Sequence, residues 1–183
     1  MQLVRTMITK EKKNQNQYRL PILILVNGIL YTINFCVNGF CVRSILYCFM
    51  TSLLIEVGIE DEKTKHISLK WNGLLLLIGI FVCIGDRPHI KDHMLGMFCV
   101  SFALFVLFVL SKGAAIGGGD VKLMGAAGLI LGLEQSVYAL FIGCALAVVC
   151  YLVRWKKIRT KQPIAMGPYL AISIWVCAIW SLH

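Results

Sequence analysis

The stretch that decides how the rest of the chain is read is IGGGDVKLM, residues 116–124. It places an ionisable side chain, Asp120, directly after three glycines and at the start of an apolar segment. An acid at the edge of a membrane's hydrocarbon core is costly, and acids in that position usually belong to substrate paths, proton relays or catalytic sites. Adjacent glycines let the backbone bend and let another segment approach it closely. The stretch therefore predicts a polar pocket in a membrane protein.

The composition of the chain is that of a membrane protein. Its 183 residues are 58% hydrophobic, and the mean hydropathy is +0.78. These values exclude a disordered chain and are atypical of a soluble domain. The net charge of +9 comes from short basic clusters between apolar runs, which is the pattern of loops beside a membrane. We therefore expect contact with membrane lipid and no nucleic-acid partner.

Seven apolar segments predict an all-α, polytopic membrane helix bundle with about seven spans. They cover residues 20–37, 44–59, 71–84, 94–110, 121–133, 136–153 and 165–182. The third and fifth are the weakest, because a straight span needs roughly 20 residues. The chain contains no repeat and no linker-like segment, so residues 1–183 are predicted to form one membrane domain. Within it, a basic segment, 1–19, precedes the helix bundle of residues 20–183.

The distribution of lysine and arginine predicts the orientation. With a cytoplasmic N-terminus, the inner regions are residues 1–19, 60–70, 111–122 and 154–161. Of the 18 lysines and arginines, only Arg43, Arg87 and Lys91 then lie outside. Short cytoplasmic loops are enriched in these residues. The asymmetry predicts a multi-pass protein of the plasma membrane whose Asp120 faces the cytoplasm.

A second acid at the same membrane face gives Asp120 a partner. The second span ends in EDEKTKHIS, residues 60–68, which contains Asp61. Two carboxyl groups brought together do not both ionise easily, so one keeps a proton while the other stays charged. Such a pair can activate water and protonate the developing oxyanion without a metal or another cofactor. Glu56 and Glu60 are the fallback candidates for the second acid.

Three motifs resemble those of the type IV prepilin peptidase family, which are membrane aspartic proteases. GGGDVKL (117–123) is similar to the family's G-x-G-D-x-K-[LF] signature. DEKTKHI (61–67) is similar to the family's D-x-x-T-x-x-I-P-N stretch, with Ser68 and Leu69 in place of Pro-Asn. IAMGPYLA (164–171) resembles the P-F-G-P-[FY]-L-A opening of its last helix. The motifs occur in the family's order and together cover most of the chain from about residue 44.

The resemblance implies Asp61 and Asp120 as a catalytic dyad, supported by Gly117, Gly119 and Lys122 of the G-x-G-D motif. It also implies cleavage of the short basic leader from pilin-like precursors at the cytoplasmic membrane face. Larger family members carry an insertion with paired C-x-x-C motifs and also methylate the new N-terminus. These motifs do not occur here, so we expect the short form, with peptidase and without N-methyltransferase activity.

Other interpretations of the same residues stay open at this point. Asp61 also fits a solvated loop acid, and Asp120 also fits a helix N-cap. A carrier or channel subunit that uses Asp120 as a proton or ion site is the alternative function, since broken helices with buried acids occur in transporters. The sequence assigns no metal site: Asp86, His89, Asp92 and His93 fit a polar turn around Pro88 better.

Overall fold

The structure is a computed structural model that describes residues 21–112, 116–158 and 165–180. For residues 154–158 it describes the backbone only. These residues form helices and turns. The helices, in chain order, are α1 (Pro21–Asn38), α2 (Val42–Thr64), α3 (Leu69–Gly85), a short 3-10 helix (Arg87–His89), α4 (Ile90–Leu110), α5 (Gly118–Leu131), α6 (Leu133–Ile158) and α7 (Gly167–Trp180). The prediction of an all-α bundle is confirmed, and each predicted apolar segment coincides with one helix.

The lengths and surfaces of the helices fit a membrane. Four helical segments are long and apolar enough to cross one, namely Pro21–Asn38, Val42–Thr64, Arg87–Leu110 and Leu133–Val153. The helices α3 and α7 are apolar but shorter. Large hydrophobic side chains such as Phe102 and Phe141 are about two-thirds exposed on the outside of the bundle. A surface of this kind is stable only in contact with lipid or another apolar partner.

The helix α5 forms the centre of the bundle. From Asp120 to Leu131 every side chain except that of Lys122 is buried. This helix packs against α3, α4, α6 and α7. A helix that is buried on all its faces reads as apolar all round, which is why its short sequence carries no amphipathic pattern. Its position carries Asp120 into the interior.

Glycines allow α4 and α5 to approach at backbone distance. A Cβ on Gly96 would lie 2.7 Å from the Gly128 carbonyl oxygen, and one on Gly128 would lie 2.5 Å from the carbonyl oxygen of Gly96. Real Cβ atoms do not come this close, so both positions require glycine. The G-x-x-x-G spacing of Gly128 and Gly132 predicts such a surface. The structure identifies its partner as α4.

Two helix ends differ from the prediction in a way that matters for the site. The predicted second span ends at residue 59, whereas α2 continues through the charged residues to Thr64 and stops at Lys65, which has a φ of 58°. The predicted fifth span begins at residue 121, whereas α5 begins at Gly118. Charged side chains such as Glu and Lys are good helix formers, so hydropathy alone ends a helix too early. Both acids therefore lie within helices.

Candidate active site

Asp61 lies in the last turn of α2 with its side chain turned into the bundle. It is 6% exposed, so the interpretation as a solvated loop acid is wrong. Its Oδ2 accepts a hydrogen bond of 2.7 Å from the backbone N–H of Gly167, the first residue of α7. Helix N-termini carry unsatisfied N–H groups and partial positive charge, and they favour a carboxylate. The N-terminus of α7 therefore holds Asp61.

The approach of Asp61 to α7 requires a glycine at position 167. A Cβ built on Gly167 would lie 2.7 Å from Oδ2, 2.8 Å from Cβ and 2.9 Å from Cγ of Asp61. Any larger residue would push the carboxyl group away from the helix N-terminus. The G-P element of the third motif is thus part of the site: it supplies the N–H that orients Asp61.

Asp120 is the third residue of α5 and is 7% exposed. Its Oδ2 accepts a 3.3 Å hydrogen bond from the N–H of Gly117, the residue that caps the helix. The predicted N-cap role of Asp120 is therefore corrected: Gly117 occupies the N-cap position, and Asp120 reaches back to it. The other oxygen, Oδ1, is buried and has no hydrogen-bond partner among residues 21–112, 116–158 and 165–180.

The charge of Asp61 reaches Asp120, and neither acid has a counter-ion among the described residues. The charge of Asp61 contributes to the electrostatic environment of the Asp120 carboxyl group. In the part of the chain that the structure describes, no basic side chain forms an ion pair with either of them. Two buried carboxyl groups without a cation favour a state in which one holds a proton. This is the arrangement that general acid–base chemistry needs.

The start of α5 is fixed by the segment that follows Asp61. A Cβ on Gly119 would lie 3.0 Å from Cβ of Ile67, so this glycine lets the α2–α3 turn pack against the G-x-G-D motif. The Nδ2 group of Asn72, in the first turns of α3, donates a 3.3 Å hydrogen bond to the Gly119 carbonyl. Asn72 is 5% exposed, and its Oδ1 has no partner among the described residues. Asn72 was not among the residues predicted from the sequence, where its signal is a polar residue near the start of an apolar span.

The remaining candidates have other surroundings. Lys122 is exposed and lines a cavity of about 360 Å³ between α3, α4 and α5. Glu60 accepts a 3.1 Å hydrogen bond from the N–H of Ser68 and so fastens the α2–α3 turn. Glu56 is exposed on α2. Neither glutamate replaces Asp61 in the buried site.

The opposite end of the bundle holds a different acidic site. Asp86, in the turn after α3, lies 3.4 Å from Arg43, 2.9 Å from His89 and 3.7 Å from the buried His93. The hydrogen bond from His89 and the positive charge of Arg43 hold the pKa of Asp86 below its usual value. Among the residues described, no cluster of His, Cys, Asp and Glu has the arrangement of a metal site. At this end, Asp86 forms an ion pair with Arg43 of α2 and contacts the imidazoles of His89 and His93, so it links the ends of α2, α3 and α4.

Comparison with known proteins identifies the family of the chain. The sequence profile of the type IV leader peptidase family matches residues 48–152, a range that includes both Asp61 and Asp120. The chain belongs to the type IV leader peptidase family. The family that the sequence motifs predicted is therefore confirmed. No solved structure matches the chain.

Members of the leader peptidase family from several bacteria resemble the chain over most of its length. A protein from Aeromonas hydrophila is 34% identical over 133 residues, which cover 69% of this chain and 43% of the relative. One from Pectobacterium carotovorum subsp. carotovorum is 35% identical over 67% of this chain and 47% of the relative. One from Neisseria gonorrhoeae is 24% identical over 86% and 56%. Each is named a prepilin leader peptidase/N-methyltransferase. The chain spans about half the length of these relatives.

Proposed function

We propose that the protein is a membrane aspartic endopeptidase that cleaves the leader from pilin-like precursors, with Asp61 and Asp120 as its catalytic dyad. Membership of the leader peptidase family supports the peptidase class over a carrier or channel. The observation that carries the proposal is the pair of buried acids, at the end of α2 and the start of α5, which lack a cation among the described residues. A proton site in a carrier would not need two such acids in one place.

Their hydrogen bonds support distinct roles for the two acids. Asp61 holds the shorter bond, from the N-terminus of α7, which suits the charged member. Asp120 has a buried oxygen without a hydrogen-bond partner among the described residues, which suits the member that carries the proton and donates it. Asp61 takes a proton from water, and the water oxygen attacks the scissile carbonyl carbon. Asp120 gives its proton to the carbonyl oxygen as that oxygen becomes negative.

Collapse of the tetrahedral intermediate completes the reaction. The oxygen–hydrogen bond at the former carbonyl breaks, its proton returns to Asp120, and the carbonyl reforms. The proton that Asp61 took from water passes to the leaving nitrogen while the carbon–nitrogen bond breaks. The products are a free leader carboxyl group and a new amino terminus. Asp61 is then again a carboxylate and Asp120 again protonated, so no cofactor is consumed.

The location of the reaction follows from the basic loops. We place Asp61 and Asp120 at the cytoplasmic face of the inner membrane, because the positive charge of the chain is concentrated at that side. The part of the relatives that this chain matches supports peptidase activity, and N-methyltransferase activity is not proposed for it. One membrane domain over residues 1–183, with a basic segment 1–19 on the inside, stays a prediction.

The test is cleavage of a pilin-like precursor by membranes that contain wild-type protein, Asp61→Asn or Asp120→Asn. Asparagine keeps the size of the side chain and removes the ability to exchange a proton at neutral pH. We expect each variant to lose cleavage by about 10³-fold or more, the usual range for a general acid or base. Asp86→Asn, at the opposite end, is the matched control and retains cleavage. Wild-type rates in either dyad variant would refute the proposed dyad.

A further inference from the structure

An apolar groove runs along α2 beside the candidate active site. It encloses about 420 Å³ between α1, α2 and α7. Apart from Thr51 and Glu62, its lining consists of apolar side chains, a glycine and a proline. Side chains that border it remain open to the surroundings, as Ile172 does with 53% exposure. A groove of this kind accepts the apolar face of another helix.

Consecutive residues of α2 connect this groove to the site. Neighbouring positions on a helix point about 100° apart, at 3.6 residues per turn. Asp61 therefore faces the interior, where it is 6% exposed, while Glu62 is exposed and lines the groove. One turn earlier, a Cβ on Gly58 would lie 3.4 Å from Cα of Pro168, the residue after Gly167. The end of the groove thus adjoins the α7 N-terminus that holds Asp61.

The groove carries one carboxylate, that of Glu62, at the end next to the candidate active site. Within the described part of the chain, Glu62 forms no ion pair. A single carboxylate at the rim of an apolar groove selects an occupant that places a cation there. Membrane proteins carry Lys and Arg in short segments that stay on the cytoplasmic side of an apolar helix. An apolar helix preceded by a basic segment therefore complements both the walls and the end of this groove.

We infer that the groove between α1, α2 and α7 docks the apolar helix of the precursor, and that Glu62 pairs with a Lys or Arg of its leader. This inference rests on the proposed function and adds the surface that recognises the substrate. It places the junction between leader and helix at the turn that carries Asp61. Glu62 selects the substrate, while Asp61, the preceding residue, performs the chemistry.

A charge exchange between enzyme and substrate tests the pairing. Purified wild-type protein and Glu62→Lys are given two precursors in detergent, one with its basic leader and one with the leader's Lys and Arg changed to Glu. Reversal of one exposed charge pair changes binding by about tenfold. We expect Glu62→Lys to raise KM for the basic leader by about that factor and to lower KM for the acidic leader. Glu134→Lys, an exposed acid at the opposite end, is the control.

The outcomes separate this inference from the proposed function. If Glu62→Lys has the same KM values for the two precursors as the wild-type protein, while Asp61→Asn still abolishes cleavage, the docking inference is wrong. The peptidase assignment then stands. If wild-type protein cleaves neither precursor, the proposed function itself fails. A change of KM that follows the charge of the leader supports the pairing, because a general loss of structure would weaken both substrates alike.

Photo-crosslinking tests the groove itself. A photoreactive residue at Ile172, in the groove, is compared with one at Phe102, which is 68% exposed on α4 away from it. Both are placed in Asp61→Asn, so that bound precursor remains intact. We expect precursor to be captured at position 172 and not at position 102. Capture of lipid alone at position 172, or equal capture of precursor at both positions, would overturn the docking inference.

Discussion

Acids occupy both ends of this bundle, but their surroundings differ. At one end, Asp86 is surrounded by Arg43, His89 and His93. At the other, Asp61 and Asp120 receive hydrogen bonds from backbone N–H groups of glycines and have no cation among the described residues. A carboxylate beside an arginine, such as Asp86 beside Arg43, is kept in its charged form and fastens helices together. A pair held only by backbone amides can still exchange a proton, and under the proposed function this difference separates the structural acidic site from the catalytic one.

The largest loss of activity in this comparison is expected when Asp61 loses its hydrogen bond from the backbone amide of Gly167. Gly167→Ala would place a methyl group within 3 Å of the carboxyl group and displace it from the N-terminus of α7. We expect the rate of precursor cleavage to fall by about 10²-fold, the scale for a misplacement near 1 Å. Gly73→Ala is the matched control, because a Cβ there meets nothing within 4 Å. Equal rates for the two variants would show that the contact with α7 does not position Asp61.

A smaller loss of activity is expected when the segment that carries Asp120 loses its hydrogen bond to Asn72. Asn72→Leu removes the hydrogen bond to the Gly119 carbonyl, next to Asp120, while it roughly preserves side-chain volume. The net value of such a bond is about 1 kcal/mol, so we expect about a fivefold fall in kcat if it holds the turn in place. The measurement is kcat together with the melting temperature.

Asn34→Leu controls for the loss of a buried amide. Asn34 is 1% exposed, and its Nδ2 donates a 2.9 Å bond to the Ser44 carbonyl near the opposite end of the bundle. Both leucine variants should change the melting temperature, but only Asn72→Leu should change kcat per folded molecule. If both variants lowered kcat equally, Asn72 would have no specific role in the site.

The smallest effect is expected at the ion-pair end. Asp86→Asn should lower the free energy of unfolding by about 0.2–1 kcal/mol, because the pairs are partly exposed, and should leave cleavage unchanged. The lowered pKa of Asp86 fixes the pH dependence of this difference. A depressed folded-state pKa contributes stability above the unfolded pKa, which is about 3.9, and that contribution disappears as the pH falls through the lower, folded value.

Thermal unfolding of wild-type protein and Asp86→Asn at pH 7 and at pH 3 measures this dependence. The wild-type protein should be the more stable at pH 7, and the difference should shrink at pH 3. A difference that grows on acidification would show that the charged form of Asp86 is not the stabilising one. Loss of cleavage in Asp86→Asn would mean that the two ends are not separate in function.

Much of this organisation could be predicted from the sequence. Apolar runs located all seven helices, and the family resemblance implied Asp61 and Asp120 as a pair, whose catalytic role stays a prediction. The burial of the two acids could not be predicted. The hydropathy pattern ends the predicted second span at residue 59, whereas α2 continues to Thr64 because its charged residues are good helix formers. The N–H of Gly167 that holds Asp61 lies 106 residues away in the chain, and a backbone donor leaves no mark in a side-chain pattern. The contact between Asn72 and Gly119 is hidden for the same reason.

The central claim is that Asp61 and Asp120 work as one unit around a shared proton. Precursor cleavage by Asp61→Asn, Asp120→Asn and the double variant tests it most directly, because residues that act as a unit give losses that do not add in free energy. We predict that each single variant loses about 10³-fold or more and that the double variant is no slower than either single one. Losses that multiply in the double variant, or one single variant with wild-type activity, would contradict the account.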